Sequence, residues 1–405
     1  MQTVDVHEVG FAPLQRLMLR DRWVGGGVDA HLERVEIHFS GFPAAEEIRD
    51  AWERTVAATE ALRMGFVRDG SEAVGWREVK EEGGRIHIED GLAAECGEGE
   101  AIHQRLSDGL APWVVCYWPG ARRLVWTFHH ALLDGRSMAR VLRVFFQCLR
   151  GQQVVPLSLV SWREPTAAEI RAAERIFQET RGHLRKYPAM LTTDDDSGPA
   201  LSRLGAEVLQ RLERLAEHLD LSPATLVIWA WGQALAEKLT LDSVVVEQVR
   251  CGFPRESGAG FSMTTLPLVI PRWVEGGLAC HLQDFRRRLL ALREIDTVSS
   301  RDFQDRVYPD VDGVGCSMVM VEDGTLRHRI GEEVCDGWIR EVELHEPVSD
   351  VLAACAYLQP ALQLRVEGPG CCEMLGRWER VIGNLSREYG MGWDRLYERM
   401  ISRLG

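Results

Sequence analysis

Phe128-His129-His130-Ala131-Leu132-Leu133-Asp134-Gly135 is the stretch on which the reading of this chain turns. It closes an apolar run, Leu124 to Phe128, that reads as a strand, and it precedes Met138 to Leu149, whose apolar spacing predicts a helix with Ser137 as N-cap. Adjacent strand residues point to opposite faces, so if the strand runs through the pair, one histidine works while its neighbour packs. Imidazole, with an ordinary pKa of about 6.5, takes up and returns a proton near neutral pH. Asp134 follows His130 across a short loop, shapes that loop, and needs a cationic partner if it is buried. On these residues alone, a buried histidine pair beside a turn aspartate reads equally well.

Working outward, Trp113 to Trp118 and Leu124 to Phe128 flank Pro-Gly-Ala-Arg-Arg as a hairpin. Upstream, His31 to Ser40 alternates (Leu32, Val35, Ile37) as a half-buried strand, and Ala45 to Thr59 has helical spacing with acids near its start. Glu78 to Glu100, rich in glycine and acids, reads as a solvated loop around a short strand, Ile86 to Ile88. Residues 152 to 200 change character: a polar amphipathic helix from Thr166 to about Arg185, then a run holding Asp194, Asp195 and Asp196 before Ser-Gly-Pro, which reads as an exposed loop rather than a cation site. Beyond it come a helix through Val208 and Leu215, a Ser222-Pro223 helix start, and a nearly all-apolar helix to Leu239 that should be central. Strands at Ser243 to Val249, Leu266 to Ile270, Gly315 to Val321 and within Val351 to Val366, with helices at Leu282 to Ile295 and Cys372 to Tyr389, complete an α+β pattern. At 405 residues the expectation is two lobes: 1–160 carrying the histidines, 161–200 as crossover, and 201–405.

Composition narrows the function. A formal charge of −14 repels phosphate backbones and argues against nucleic acid as the main partner. No signal peptide or charge-free stretch of spanning length occurs, so the expectation is a cytoplasmic protein without a membrane span. The ten cysteines lack a CxxC pair and sit mostly in apolar runs, so no zinc site and no disulfide framework is expected. No P-loop, dinucleotide fingerprint or GxSxG elbow is present.

The HHALLDG segment resembles the HHxxxDG signature of the condensation domains of nonribosomal peptide synthetases, within the superfamily of chloramphenicol acetyltransferase. Pro13-Leu14-Gln15-Arg16-Leu17 is similar to the opening motif of those domains, Glu60 to Phe66 to their HEALRTxF segment, Val244 to Pro254 to the strand ending in SGRP, and Gly260 to Leu268 to GxFVNTLPLR, in the family's order. The resemblance spans about residues 11 to 390. It implies two chloramphenicol-acetyltransferase-like lobes in a V, with a central tunnel entered by donor and acceptor. It further implies an acyltransferase in natural-product or lipid biosynthesis, in which His130 acts as general base while an amine or hydroxyl acceptor attacks an acyl thioester. The donor would be acyl-CoA or a phosphopantetheinyl carrier, with the acyl or peptidyl carrier protein acting in trans, and no cofactor tightly bound. By the same match His129 and Asp134 support the site, and Gly135 lets the helix start approach the thioester.

The departures carry expectations of their own. Phe253 stands where the family has the arginine of SGRP, so Arg250 and Arg255 are the expected partners of Asp134. Ser262 and Thr264 replace the Phe and Asn of the family's FVNTLPL segment, as in a divergent free-standing member. The alternative from another class is a catalytically inactive, condensation-like recruitment module, although such relatives usually lose the second histidine, which is intact here.

Overall fold

The structure, a computed structural model, describes residues 6–7, 10–25, 31–69, 72–79, 86–88, 98–160, 162–184, 198–251, 258–274, 277–298, 317–322, 339–345 and 352–404. They fall into two compact units: Met1–Glu164 with Cys251–Thr264 and Leu326–Pro347, and Pro165–Arg250 with Thr265–Thr325 and Val348–Gly405. The chain thus returns twice to the first unit from its second half, which a division at 160 and 200 does not contain.

In chain order the first unit is β1 (Val6–His7), α1 (Pro13–Gly25), β2 (Leu32–Phe39), α2 (Ala45–Ala58), β3 (Met64–Asp69), β4 (Glu72–Glu78), β5 (Ile86–Ile88), α3 (Glu98–Ser107), β6 (Trp113–Trp118), β7 (Arg123–His129), α4 (Gly135–Leu149) and β8 (Ser158–Val160). It is completed by β11 (Gly258–Gly260) and β14 (Ile339–His345). Its main sheet runs β14-β2-β7-β6-β5. The expected hairpin is β6 and β7, antiparallel, and β2 pairs antiparallel with β7 so that Val35 lies opposite Trp126 and Ile37 opposite Leu124. Every residue of β6 is buried, because both faces of the sheet are covered. On one face the indole of Trp52, from α2, meets Trp113, Trp126 and Phe145 edge-on at 5.8, 5.3 and 5.3 Å, the geometry aromatic quadrupoles favour. On the other, Ile102, Val114, Cys116, Trp118 and Val125 form a smaller cluster.

Helix α4 packs through Met138, Val141, Leu142 and Phe145, the one-sided spacing read from the sequence. Its start corrects the sequence reading: the helix begins at Gly135, and Asp134, not Ser137, is the N-cap. The carboxylate oxygen reaches the backbone N–H of Ser137 at 2.8 Å, satisfying a donor that the first turn leaves unpaired.

The second unit holds α5 (Ala167–Arg181), β9 (Ala200–Arg203), α6 (Ala206–His218), α7 (Pro223–Leu239), β10 (Ser243–Cys251), most of β12 (Met263–Pro271), α8 (Leu278–Ala291), β13 (Met318–Glu322), β15 (Ala353–Tyr357), β16 (Gln363–Glu367) and α9 (Cys371–Leu404). Its sheet order is β12-β10-β13-β15-β16-β9. As its all-apolar sequence predicts, α7 is central, buried from Thr225 to Ala236 and capped by the Ser222 hydroxyl. Helix α5 lies in the stretch read as a crossover, yet Ala172, Ala173 and Phe177 join the core of this unit. The triple aspartate lies outside the described residues.

Candidate functional site

Strand β7 ends at His129, so His130 lies in the turn beyond it. His129 lies opposite Leu32, while Phe128 lies opposite Glu33 on the face that carries Trp126 and Val35. His129 is buried, its Nδ1 accepting from the backbone N–H of Ala131 at 3.1 Å and its ring edge-on to His31. His130 starts the turn, its backbone N–H donating to the His31 carbonyl at 2.7 Å. Its side chain keeps 16% exposure, and among the described residues no protein atom is bonded to its Nε2.

The Nδ1 side of His130 is occupied. Glu33 Oε1 lies 2.7 Å away and the Leu133 carbonyl 3.1 Å away. The ring of Phe261 meets the imidazole edge-on at 5.5 Å. Burial pushes the pKa of His130 down, but the carboxylate of Glu33, the Leu133 carbonyl and the more distant charge of Asp134 together outweigh it and raise the value to about 9.

Neighbouring segments hold the loop. Gln15, from the opening motif, is buried and donates through Nε2 to the Ala131 carbonyl at 2.7 Å, while its Oε1 accepts from the Ala12 N–H. Asp134 is buried, and its second oxygen accepts from both the N–H and the hydroxyl of Ser262, at 3.0 and 2.8 Å. The Asp134 N–H donates to the Gly260 carbonyl and the Gly260 N–H donates to the Ser137 hydroxyl, so β11 is stitched to the start of α4. The pairing of β11 with β8 requires glycine at this position: a Cβ on Gly260 falls 2.8 Å from the Val160 carbonyl oxygen. Gly135 differs, since a Cβ there meets nothing within 4 Å and its backbone needs no positive φ.

Of the two arginines expected beside Asp134, one is engaged elsewhere. Arg250 engages Asp296 with two nitrogens, Nη2 to Oδ2 at 3.1 Å, and Arg255 lies outside the described residues. Among the described residues neutral donors hold Asp134, and Ser262, the residue that departs from the family pattern, supplies two of them. Glu33 is the residue that sequence reading missed. The signal was present: positions 33, 35, 37 and 39 share one face of β2, and an acid stands in a column otherwise apolar.

No protein-family model matches the chain. It is 25% identical over 297 residues, 64% of its length, to one of the proteins of the linear gramicidin synthase of Brevibacillus parabrevis. It spans only 2 to 12% of the length of the curated synthetases it matches. Among solved structures it is similar to the condensation domain of monacolin K polyketide synthase, with a TM-score of 0.68 at 13% identity, covering 96% of this chain and 98% of that one. It is also similar to a variant of the starter condensation domain of rhizomide synthetase in complex with C8-CoA and Leu-SNAC, with a TM-score of 0.64 at 14% identity and 93% of both chains covered. Among the described residues, no helix is long and apolar enough to cross a membrane.

Proposed function

We propose, for a protein that is condensation-domain-like in fold, that it is an acyltransferase joining a thioester-borne acyl group to an amine or hydroxyl. The observation that carries this reading is His130: an imidazole held on its Nδ1 side by Glu33 and on its loop by Gln15, with no partner on Nε2 among the described residues, within the HHALLDG motif. The neutral imidazole takes the proton of the acceptor as its nitrogen or oxygen attacks the thioester carbon. The new C–N or C–O bond forms, the C–S bond breaks, and the departing thiolate takes the proton back from Nε2. No acyl-enzyme is needed, and the products are the amide or ester and a free thiol.

His129 and Asp134 support this site by packing and by fixing the loop. Gly135 serves the donor, since nothing in the fold asks for glycine there. The donor is an acyl-CoA or a phosphopantetheinyl carrier; the CoA complex of the rhizomide starter domain supports the first. Because the pKa of His130 is about 9, only about one molecule in a hundred carries the neutral form at pH 7, and the rate rises with pH to that value.

The test is to incubate the protein with octanoyl-CoA and with an octanoylated carrier protein, each against a panel of amines and alcohols, measuring thiol release and product mass. The reading expects His130→Ala to lose at least about a hundredfold in rate. Equal turnover by wild type and His130→Ala overturns it. Absence of any turnover across the panel favours a recruitment module.

A further inference from the structure

Glu33 sits where an apolar residue belongs. It lies opposite Phe128 in the same face-sharing column that puts Val35 opposite Trp126 and Ile37 opposite Leu124, all members of the first unit's core. The residue is 9% exposed, and a carboxylate taken that far from water is costly unless a specific partner compensates it. Among the described residues its one ionic partner is His130. The neighbouring acid of the same strand behaves otherwise: Glu36, on the opposite face, is held by Arg34 and Arg123, with His38 close by. Two acids three residues apart, both buried, therefore have different employment, one in a cluster with arginines and one facing a histidine whose far nitrogen has no bonded partner among the described residues.

A carboxylate on one ring nitrogen decides what the other nitrogen can do. With Nδ1–H donated to Glu33, the neutral ring carries its lone pair on Nε2, and the ring is held against rotation. When Nε2 takes a proton, the charge that forms is already faced by an anion. We propose that Glu33 is the positioning residue of His130: its carboxylate selects the Nδ1–H tautomer, holds Nε2 toward the acceptor, and stabilises the imidazolium formed during transfer. This inference rests on the acyltransferase reading for its chemistry and stands on the β2–β7 register and the 2.7 Å contact for its geometry.

The groups that face His130 define what must be tested. From β2 comes Glu33; from its own loop come the Leu133 carbonyl and Asp134; from the segment after β11 comes the uncharged ring of Phe261. Burial alone lowers the histidine, so removing the charge of Glu33 takes away the main force opposing that effect.

The experiment uses the full chain labelled with ring-15N histidine, with His130→Ala identifying the resonance, and titrates wild type, Glu33→Gln and Glu33→Asp from pH 5 to 10.5. The pH dependence of octanoyl transfer is followed in parallel. Wild-type His130 is expected to titrate near 9, and Glu33→Gln to move the midpoint to 6.5 or below. Transfer by Glu33→Gln is expected to fall by about a hundredfold at pH 9 and to approach wild type at pH 7, where its larger neutral fraction offsets the loss of orientation. Glu33→Asp, with charge kept and reach shortened, is expected to lie between the two. A His130 midpoint in Glu33→Gln within half a unit of wild type overturns the inference, as does a loss of rate equal at every pH. Should Glu33→Gln not fold, a wild-type midpoint at 6.5 or below overturns the inference and one near 9 upholds it. If His130→Ala transfers as wild type does while the midpoint still shifts, the acyltransferase reading fails and the Glu33–His130 pairing stands.

Discussion

Replacing Asp134 by alanine removes three hydrogen bonds at once. The carboxylate caps α4 through the Ser137 N–H at 2.8 Å and ties down Ser262 through its N–H at 3.0 Å and its hydroxyl at 2.8 Å. Loss of an N-cap costs about 1 kcal/mol, and each hydrogen bond to a buried charge contributes about 1.5 to 3 kcal/mol. The Ser262 hydroxyl and N–H are left as buried donors without acceptors, so the two bonds to it are lost with little relief from solvent. Since such terms overlap, the expected loss is roughly 3 to 5 kcal/mol, a large part of the stability of a typical domain. Urea titration followed by tryptophan fluorescence measures it as a lowered midpoint for the first unit, with Asp134→Asn intermediate because one acceptor oxygen remains. Ser262→Ala, which removes a single bond, is expected to cost about 1 to 2 kcal/mol. If Asp134→Ala loses less than about 1 kcal/mol while abolishing transfer, Asp134 acts in the chemistry and the structural assignment is wrong.

Gly135→Ala is expected to leave the melting temperature within about 2 °C of wild type, because a Cβ meets nothing within 4 Å, and to raise KM for the thioester donor; calorimetry and steady-state kinetics check the two halves separately. His130 also predicts a dependence of stability on pH. Its folded pKa of about 9 lies above the ordinary 6.5, so its contribution is fully present below pH 6.5 and is lost as pH rises to 9. Denaturant titrations across that window should show a decline on the order of 3 kcal/mol in wild type that is absent in His130→Ala.

The region around the histidines is the most legible part of the sequence. Alternation in β2, the all-buried β6 and the one-sided spacing of α4 are local patterns, and they place strand, hairpin and helix in the right order. The strand-parity argument for the two histidines applies to His129 alone, because β7 ends there and His130 lies in the turn beyond it. Partners supplied from elsewhere in the chain are not legible in this way. The Ser262 donors lie 128 residues beyond Asp134, and no spacing rule reaches that far. The place of strand β14 is hidden for a related reason: Glu341 to His345 alternates as a strand does, but its pairing with β2, about 300 residues earlier, is set by the fold. The arginine expected for Asp134 comes from the assumption that a buried acid needs a cation. A helix start and a serine answer the same need with neutral donors. Glu33 stands within reach, since an acid at a core-facing parity position is visible in the sequence, but alternation draws the eye to its apolar members.

The proposal that the neutral form of His130 accepts the acceptor's proton is the step on which everything else depends. The pH dependence of kcat/KM for octanoyl transfer tests it most directly, with the acceptor's own ionisation measured separately and divided out. A rise of about tenfold per pH unit from 6.5, levelling near 9 and absent in His130→Ala, is the predicted result. A profile that is flat, or that falls as pH passes through 9, contradicts it and shows that the imidazolium, or another group, performs the transfer.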